Sequence, residues 1–110
     1  MTIEIKTIEG IQVAEISGEI DAKTAPEVTA QVLPLAQPGQ KILLDLSQVK
    51  YMSSAGLRML LSLYRQTVAN EGKLVLVGLS EELTDTMTVT GFIEFFTTSP
   101  TVELGLAAIS

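Results

Sequence analysis

Apolar and polar positions alternate from the first residues of the chain. Ile3 and Ile5 are interleaved with Glu4 and Lys6, the period-two pattern of a half-buried strand. Glu9-Gly10 supplies turn chemistry and Ile11–Ser17 reads as a second strand, so the chain opens on a β-hairpin. The polar run Gly18–Asp21 is expected to turn the chain. Thr24-Ala25-Pro26-Glu27 then has the form of a helix start, with a hydroxyl cap, Pro in the first turn and Glu placed to close a capping box. Val28, Val32 and Leu35 fall on one face of that helix. Pro34, which costs about 3 kcal/mol inside a helix through its missing N–H and ring clash, breaks or kinks it. Gln37-Pro38-Gly39 is a loop.

Lys41–Leu46 is a short apolar run of buried-strand length, and Ser47–Met52 is expected to connect it to the next helix. Leu57, Leu60, Leu61, Tyr64 and Val68 recur at spacings of three and four and make the strongest helical stripe in the chain, ended by Asn70-Glu71-Gly72. Leu74–Val77 is another buried strand. Ser80-Glu81-Glu82 caps a third helix, with acids in the first turn where the helix dipole favours them. Leu83 and Met87 face inward there, with Thr90 as a further inward position before Gly91 stops the helix. Phe95–Thr97 is a candidate last strand, and Ser99-Pro100 starts a terminal helix reaching about Ala108. The order β-β-α-β-α-β-α-β-α predicts an α/β fold: a mostly parallel sheet of four to five strands, with helical crossovers and one antiparallel edge strand from the hairpin.

Composition narrows the function. A chain of 110 residues with 46% hydrophobic and only 18% charged positions has enough apolar surface for a single folded domain over residues 1–110 and excludes disorder. At 5% aromatics and no Trp, its core must be built from Leu, Ile, Val and Ala. Cys and His are both absent, which removes thiol nucleophiles, disulfides, imidazole acid–base chemistry and thiolate or imidazole metal sites. The net charge of −6 argues against nucleic acid, since a duplex binder needs a basic footprint and no basic residue follows Lys73. Glu81, Glu82, Asp85, Glu94 and Glu103 do follow it, so a basic partner surface is expected. The apolar runs fall well short of a membrane span, and Met1–Gly10 lacks the apolar core of a signal peptide. The expectation is a cytoplasmic protein with no membrane partner and no cofactor.

The unusual segment is Tyr51-Met52-Ser53-Ser54-Ala55-Gly56-Leu57-Arg58, at the C-terminal end of a buried strand and the opening of the best helix. Two hydroxyls there face unpaired backbone N–H groups and the positive end of the dipole, where a phosphate is accepted at little local cost. A plain N-cap role for Ser53 or Ser54 is the alternative. Gly56 costs about 1 kcal/mol relative to Ala inside a helix, so either a partner needs close access to the backbone or helix packing demands it. Asp21 reads as a turn carboxylate and Asp45 as a strand-end carboxylate bonding to nearby backbone.

Met52-Ser53-Ser54-Ala55-Gly56-Leu57-Arg58, with Gly18-Glu19-Ile20-Asp21 upstream and Leu44-Asp45-Leu46 before it, resembles the anti-sigma factor antagonist family of STAS domains over essentially the whole chain. The resemblance implies the STAS fold and a regulatory binding module with no catalysis of its own. Unphosphorylated, such a module sequesters an anti-sigma factor that is commonly also a serine protein kinase, releasing a sigma factor. The kinase inactivates it by phosphorylating the serine two positions before the glycine, here Ser54, and a PP2C-type phosphatase reverses the modification. The family usually carries Asp just before that serine; this chain has Ser53, which leaves Ser53 as an alternative acceptor. Ser54 is preferred because small Ala55 and Gly56 follow it and leave room for a kinase active site. The resemblance also implies that Asp21 borders the partner surface, together with Ser53, Ala55, Gly56 and Arg58. A second reading from the same resemblance is a scaffold subunit of a phospholipid ABC transporter or of a sensory assembly.

Overall fold

The opening alternation folds as a hairpin, in which β1 (Thr2–Ile8) runs antiparallel to β2 (Ile11–Ile20) with Ile8 opposite Ile11 across the turn. A computed structural model describes residues 1–110. After β2 the chain continues as α1 (Ala25–Val32), β3 (Lys41–Met52), α2 (Ser54–Ala69), β4 (Lys73–Val77), α3 (Glu81–Thr90), β5 (Thr97–Ser99) and α4 (Val102–Ile109). The five strands lie in the order β1-β2-β3-β4-β5, with every pair after the first parallel. This is the α/β arrangement expected from the alternation of strands and helices.

Both faces of the central strands are covered, which is why β3 and β4 read as continuous apolar runs. Ile42, Leu44, Leu46, Leu74 and Leu76 point to one side and join Val28 and Val32 of α1, Leu57, Leu60 and Leu63 of α2, and Leu83 and Met87 of α3. Leu43, Val75 and Val77 point to the other side, with Ile11 and Val13 of β2 and Ile109 of α4. Each fully buried Leu, Ile or Val side chain contributes about 1.5–3 kcal/mol. No helix is long and apolar enough to cross a membrane.

The strand ends differ from the sequence expectation. Gly18–Asp21 does not turn the chain at Gly18; β2 runs on to Ile20, and Ser47–Met52 is the second half of a 12-residue β3 rather than a connection. The two extensions pair with each other, Ser17 opposite Gln48 and Ile20 opposite Met52, so the sheet supplies the backbone partners these polar stretches appeared to lack. The register slips between Gly18 and Glu19, and Gly18 adopts φ +116 with Met1 Cα within 3.3 Å of where a Cβ would stand. A glycine inside a strand here marks an irregularity and a close backbone approach.

Helix boundaries also shift. Thr24 makes no capping bond to α1 and the capping box with Glu27 does not form. Pro34 lies in a 3-10 turn, Leu33–Leu35, that ends the helix as its chemistry requires. On α2 the buried face is Gly56, Leu57, Met59, Leu60, Leu63 and Thr67. Leu61 and Tyr64 only flank it and Val68 is exposed, so the expected stripe is rotated. Thr67 can be buried because its hydroxyl donates to Leu63 O at 2.7 Å. Tyr64 packs instead on the rings of Phe95 and Phe96, each with its centroid 5.6 Å away.

Ser80 caps α3 as expected, its Oγ accepting from Leu83 N at 3.1 Å, but Thr90 is exposed and bonds back to Thr86 O. The last strand is Thr97–Ser99, while Phe92–Phe95 forms a 3-10 turn. Ser99 is held by the sheet, its carbonyl accepting from Gly78 N, so the cap of α4 passes to Thr101, whose Oγ1 accepts from Leu104 N at 3.2 Å.

Candidate functional site

β2 and β3 are neighbouring parallel strands that end side by side, and the residues after each end are therefore brought together. Asp21 follows Ile20, Ser53 follows Met52, and Ser53 N donates to Ile20 O at 2.8 Å. The C-terminal edge of a parallel sheet is where α/β folds place their binding residues.

The loop after β2 is fixed by hydrogen bonds that its sequence encodes locally. Asp21 Oδ1 accepts from Lys23 N at 2.9 Å and Thr24 N at 3.1 Å, the bonding expected of a turn carboxylate. Thr24 Oγ1 donates to Glu19 O at 2.7 Å and accepts from Asp21 N at 2.9 Å. The sequence suggested a capping hydroxyl at Thr24; the structure uses it to tie the end of β2 to the loop. Those bonds, the Thr24 amide first and the Lys23 amide next, hold the Asp21 carboxyl below its ordinary pKa. Asp45 Oδ1 accepts from Ser47 N at 3.0 Å inside β3, a local backbone role.

The two serines occupy different environments. Ser53 stands at the N-cap position of α2 with extended backbone, yet its side chain makes no capping bond, and its Oγ is buried without a hydrogen-bond partner. Ser54 is the first residue of the helix and is exposed. No acidic residue lies in the first turn of this 16-residue helix, so the positive end of its dipole is uncompensated beside Ser54. Arg58, four residues on and exposed, shares that side of the helix.

Gly56 is buried, and a Cβ there would run into Met52 Cγ, stand 2.9 Å from Ile20 Cγ2 and 3.1 Å from Ile20 O. The glycine therefore lets the start of α2 lie flat on the ends of β2 and β3. Packing, rather than access for a partner, is what Gly56 supplies, and it offers no surface for direct contact. Ala55 is half-buried and lines a shallow groove between α1 and α2. Ala22, Ala25, Pro26 and Met59 line the same groove, with Arg58 at its side. The α1 residues Ala25 and Pro26 and the preceding Ala22 are not legible as groove lining in the sequence because only tertiary packing sets α1 beside α2; the small side chains Ala22, Ala25 and Ala30 were the available signal. A separate cavity lined by Tyr64, Lys73, Phe95 and Ile109 lies at the opposite end of the parallel strands, away from both serines.

Comparison with known proteins identifies relatives in sequence and in fold. The anti-sigma-B factor antagonist of Bacillus subtilis is 30% identical over 106 residues, 96% of this chain and 97% of that protein. The crystal structure of an anti-sigma factor antagonist from Mycobacterium paratuberculosis superposes with a TM-score of 0.82 at 28% identity, covering 98% of this chain and 92% of the other. The phosphorylated form of the Bacillus cell fate determinant SpoIIAA shares the fold, with a TM-score of 0.74 at 16% identity over 99% of this chain and all of that one. The profile of the STAS domain matches residues 2–105, and the chain belongs to the STAS domain family.

Proposed function

We propose that this protein is an anti-sigma factor antagonist of the cytoplasm, switched by phosphorylation of Ser54. In this reading the unphosphorylated chain binds an anti-sigma factor that is also a serine kinase, and so frees a sigma factor. The kinase then uses ATP to modify Ser54, and a PP2C-type phosphatase restores the binding form. The observation that carries the assignment to Ser54 is the contrast between the serines: one hydroxyl is exposed on the first residue of α2, the other is buried. The names of the relatives support the class of partner. The groove between α1 and α2, with Asp21 and Arg58 nearby, is the surface on which the partner would rest.

Phosphorylation adds about −1.5 to −2 charges at pH 7. At the uncompensated N-terminus of α2, with Arg58 one turn along, this charge is stabilising by about 0.3–1 kcal/mol. The domain therefore stays folded, and the effect falls on the partner. A hundredfold loss of affinity requires about 2.7 kcal/mol, which desolvating a doubly charged group in a dry contact, or setting it against partner carboxylates, readily exceeds.

Affinity capture from native lysate, followed by phosphosite mapping of the captured complex, tests the proposal. The expected result is an anti-sigma kinase bound to wild-type protein and phosphate on Ser54. Ser54→Ala remains bound and resists the kinase, Ser54→Asp stays folded and binds poorly, and Ser53→Ala is still phosphorylated. Phosphate lost in Ser53→Ala but retained in Ser54→Ala would reassign the acceptor. Indifference of binding and modification to both changes would reject the sigma switch and leave the scaffold role.

A further inference from the structure

β1 is an edge strand, and its outer side is open. The pairing with β2 runs without a slip from Thr2 opposite Ser17 to Ile8 opposite Ile11. The turn between them holds two residues, Glu9 at φ 52 and Gly10 at φ 81, the positive pair of a type I′ hairpin. In such a hairpin the flanking pair, Ile8 with Ile11, is hydrogen-bonded, and so are the alternate pairs of Lys6, Glu4 and Thr2. The N–H and C=O groups of Ile3, Ile5 and Thr7 consequently point away from the sheet. β1 carries no Pro and no bulge; the only edge-blunting residues it has are the charged Glu4 and Lys6, which are self-complementary, and Ile5 between them is 39% exposed.

We propose that a second copy of this chain pairs with β1 edge to edge, antiparallel about a two-fold axis at Ile5, to form a continuous sheet across two protomers. In this register Ile3 faces Thr7 of the second copy and Ile5 faces itself, so the outward backbone groups of both strands satisfy one another. Charge selects the same register. Glu4 of each copy stands opposite Lys6 of the other, and Lys6, already paired with Glu15 of its own chain, lies between two carboxylates. Sliding by two residues, the next register in which the outward backbone groups still pair, sets Lys6 against Lys6 or Glu4 against Glu4. The two-fold also points the C-terminal ends of the parallel strands of the two copies in opposite directions, so Ser54 stays clear on both. A pair of seven-residue strands is a small interface, in the class under about 1,200 Å² whose complexes are weak.

Sedimentation equilibrium of the full chain, up to about 1 mM, tests the proposal. Wild-type protein is expected to pass from monomer to dimer with concentration. Glu4→Lys and Lys6→Glu each set like charges across the axis and should weaken self-association about tenfold or more, with circular dichroism and melting confirming that both fold. Mixed one to one, these two variants restore opposite charges and should form a heterodimer as readily as wild type dimerises. A wild-type monomer throughout the range overturns the proposal. So does a dimer that both variants leave undiminished, or a mixture that stays monomeric although wild type associates.

Discussion

Gly56→Ala pits helix propensity against packing, and the two effects have opposite signs. Ala gains at most about 1 kcal/mol over Gly in a helix. The added methyl, however, would collide with Met52 Cγ and stand 2.9 Å from Ile20 Cγ2 and 3.1 Å from Ile20 O. Ile20 is fully buried, Met52 is 5% exposed, and neither contact is the free end of a flexible chain. Relief requires the first turn of α2 to lift from the sheet, stretching the bond from Ser53 N to Ile20 O at 2.8 Å. Overpacking of this kind costs about 1–3 kcal/mol, and a weakened hydrogen bond adds about 1 kcal/mol. The net expectation is a loss of about 1–3 kcal/mol. Urea titration followed by far-ultraviolet circular dichroism measures it as a lower midpoint at unchanged slope, and each kcal/mol lost should lower Tm by about 4 °C or more. A variant more stable than wild type would show that propensity dominates and that Gly56 is not required by packing.

Four further outcomes follow from particular contacts. Ser53→Ala removes a buried hydroxyl with no partner and should leave stability unchanged or raised, against the usual loss of about 1 kcal/mol for an N-cap serine; a urea midpoint lowered by that amount would mean the hydroxyl caps α2. Ser80→Ala removes the bond from Leu83 N and should cost about 1 kcal/mol in the same titration. Asp21 has its folded pKa depressed, so its contribution to stability is complete above the unfolded value, about pH 4, and is lost as pH falls through the lower folded value. Carbon-detected NMR titration should place its midpoint below that of an ordinary Asp. Asp21→Asn, which keeps an oxygen to accept from Lys23 and Thr24 but loses the charge, should weaken partner binding while lowering the neutral-pH melting temperature only by the small contribution of that exposed carboxylate; a large fall in Tm with normal binding would make Asp21 a turn residue only.

The element order was legible because each core strand and helix carries its own periodicity. The strand ends were not. Gly18, Glu19 and Gln48 look like loop residues, and only their pairing across β2 and β3, with Val49, Tyr51 and Ser17, makes them sheet. On α2 the buried face includes Gly56 and Thr67, residues a hydrophobicity count rejects; the first is admitted by contact with the sheet and the second by a hydroxyl bonded within its own helix. The serine pair and Asp21 stood out through residue type and spacing, and the ends of two adjacent strands bring them together. Which serine is exposed depends on the rotation of α2, and the groove beside it on how α1 settles against α2. Neither is a local property of the chain.

The clustering of Tyr64 with Phe95 and Phe96 also divides the optical signals of the protein. The chain has no Trp and 2 Tyr, so its near-ultraviolet emission arises from two phenols in unlike surroundings. Tyr64 lies against two phenyl rings and should give near-ultraviolet dichroism and ring-current-shifted proton resonances that are lost when α2 parts from Phe95 and Phe96. Tyr51 is 52% exposed on the last turn of strand before Ser53 and has no such ring contacts. Unlabelled protein thus carries two built-in reporters, one for tertiary order and one for contact at the serine end of the sheet, separable by replacing either tyrosine with Phe.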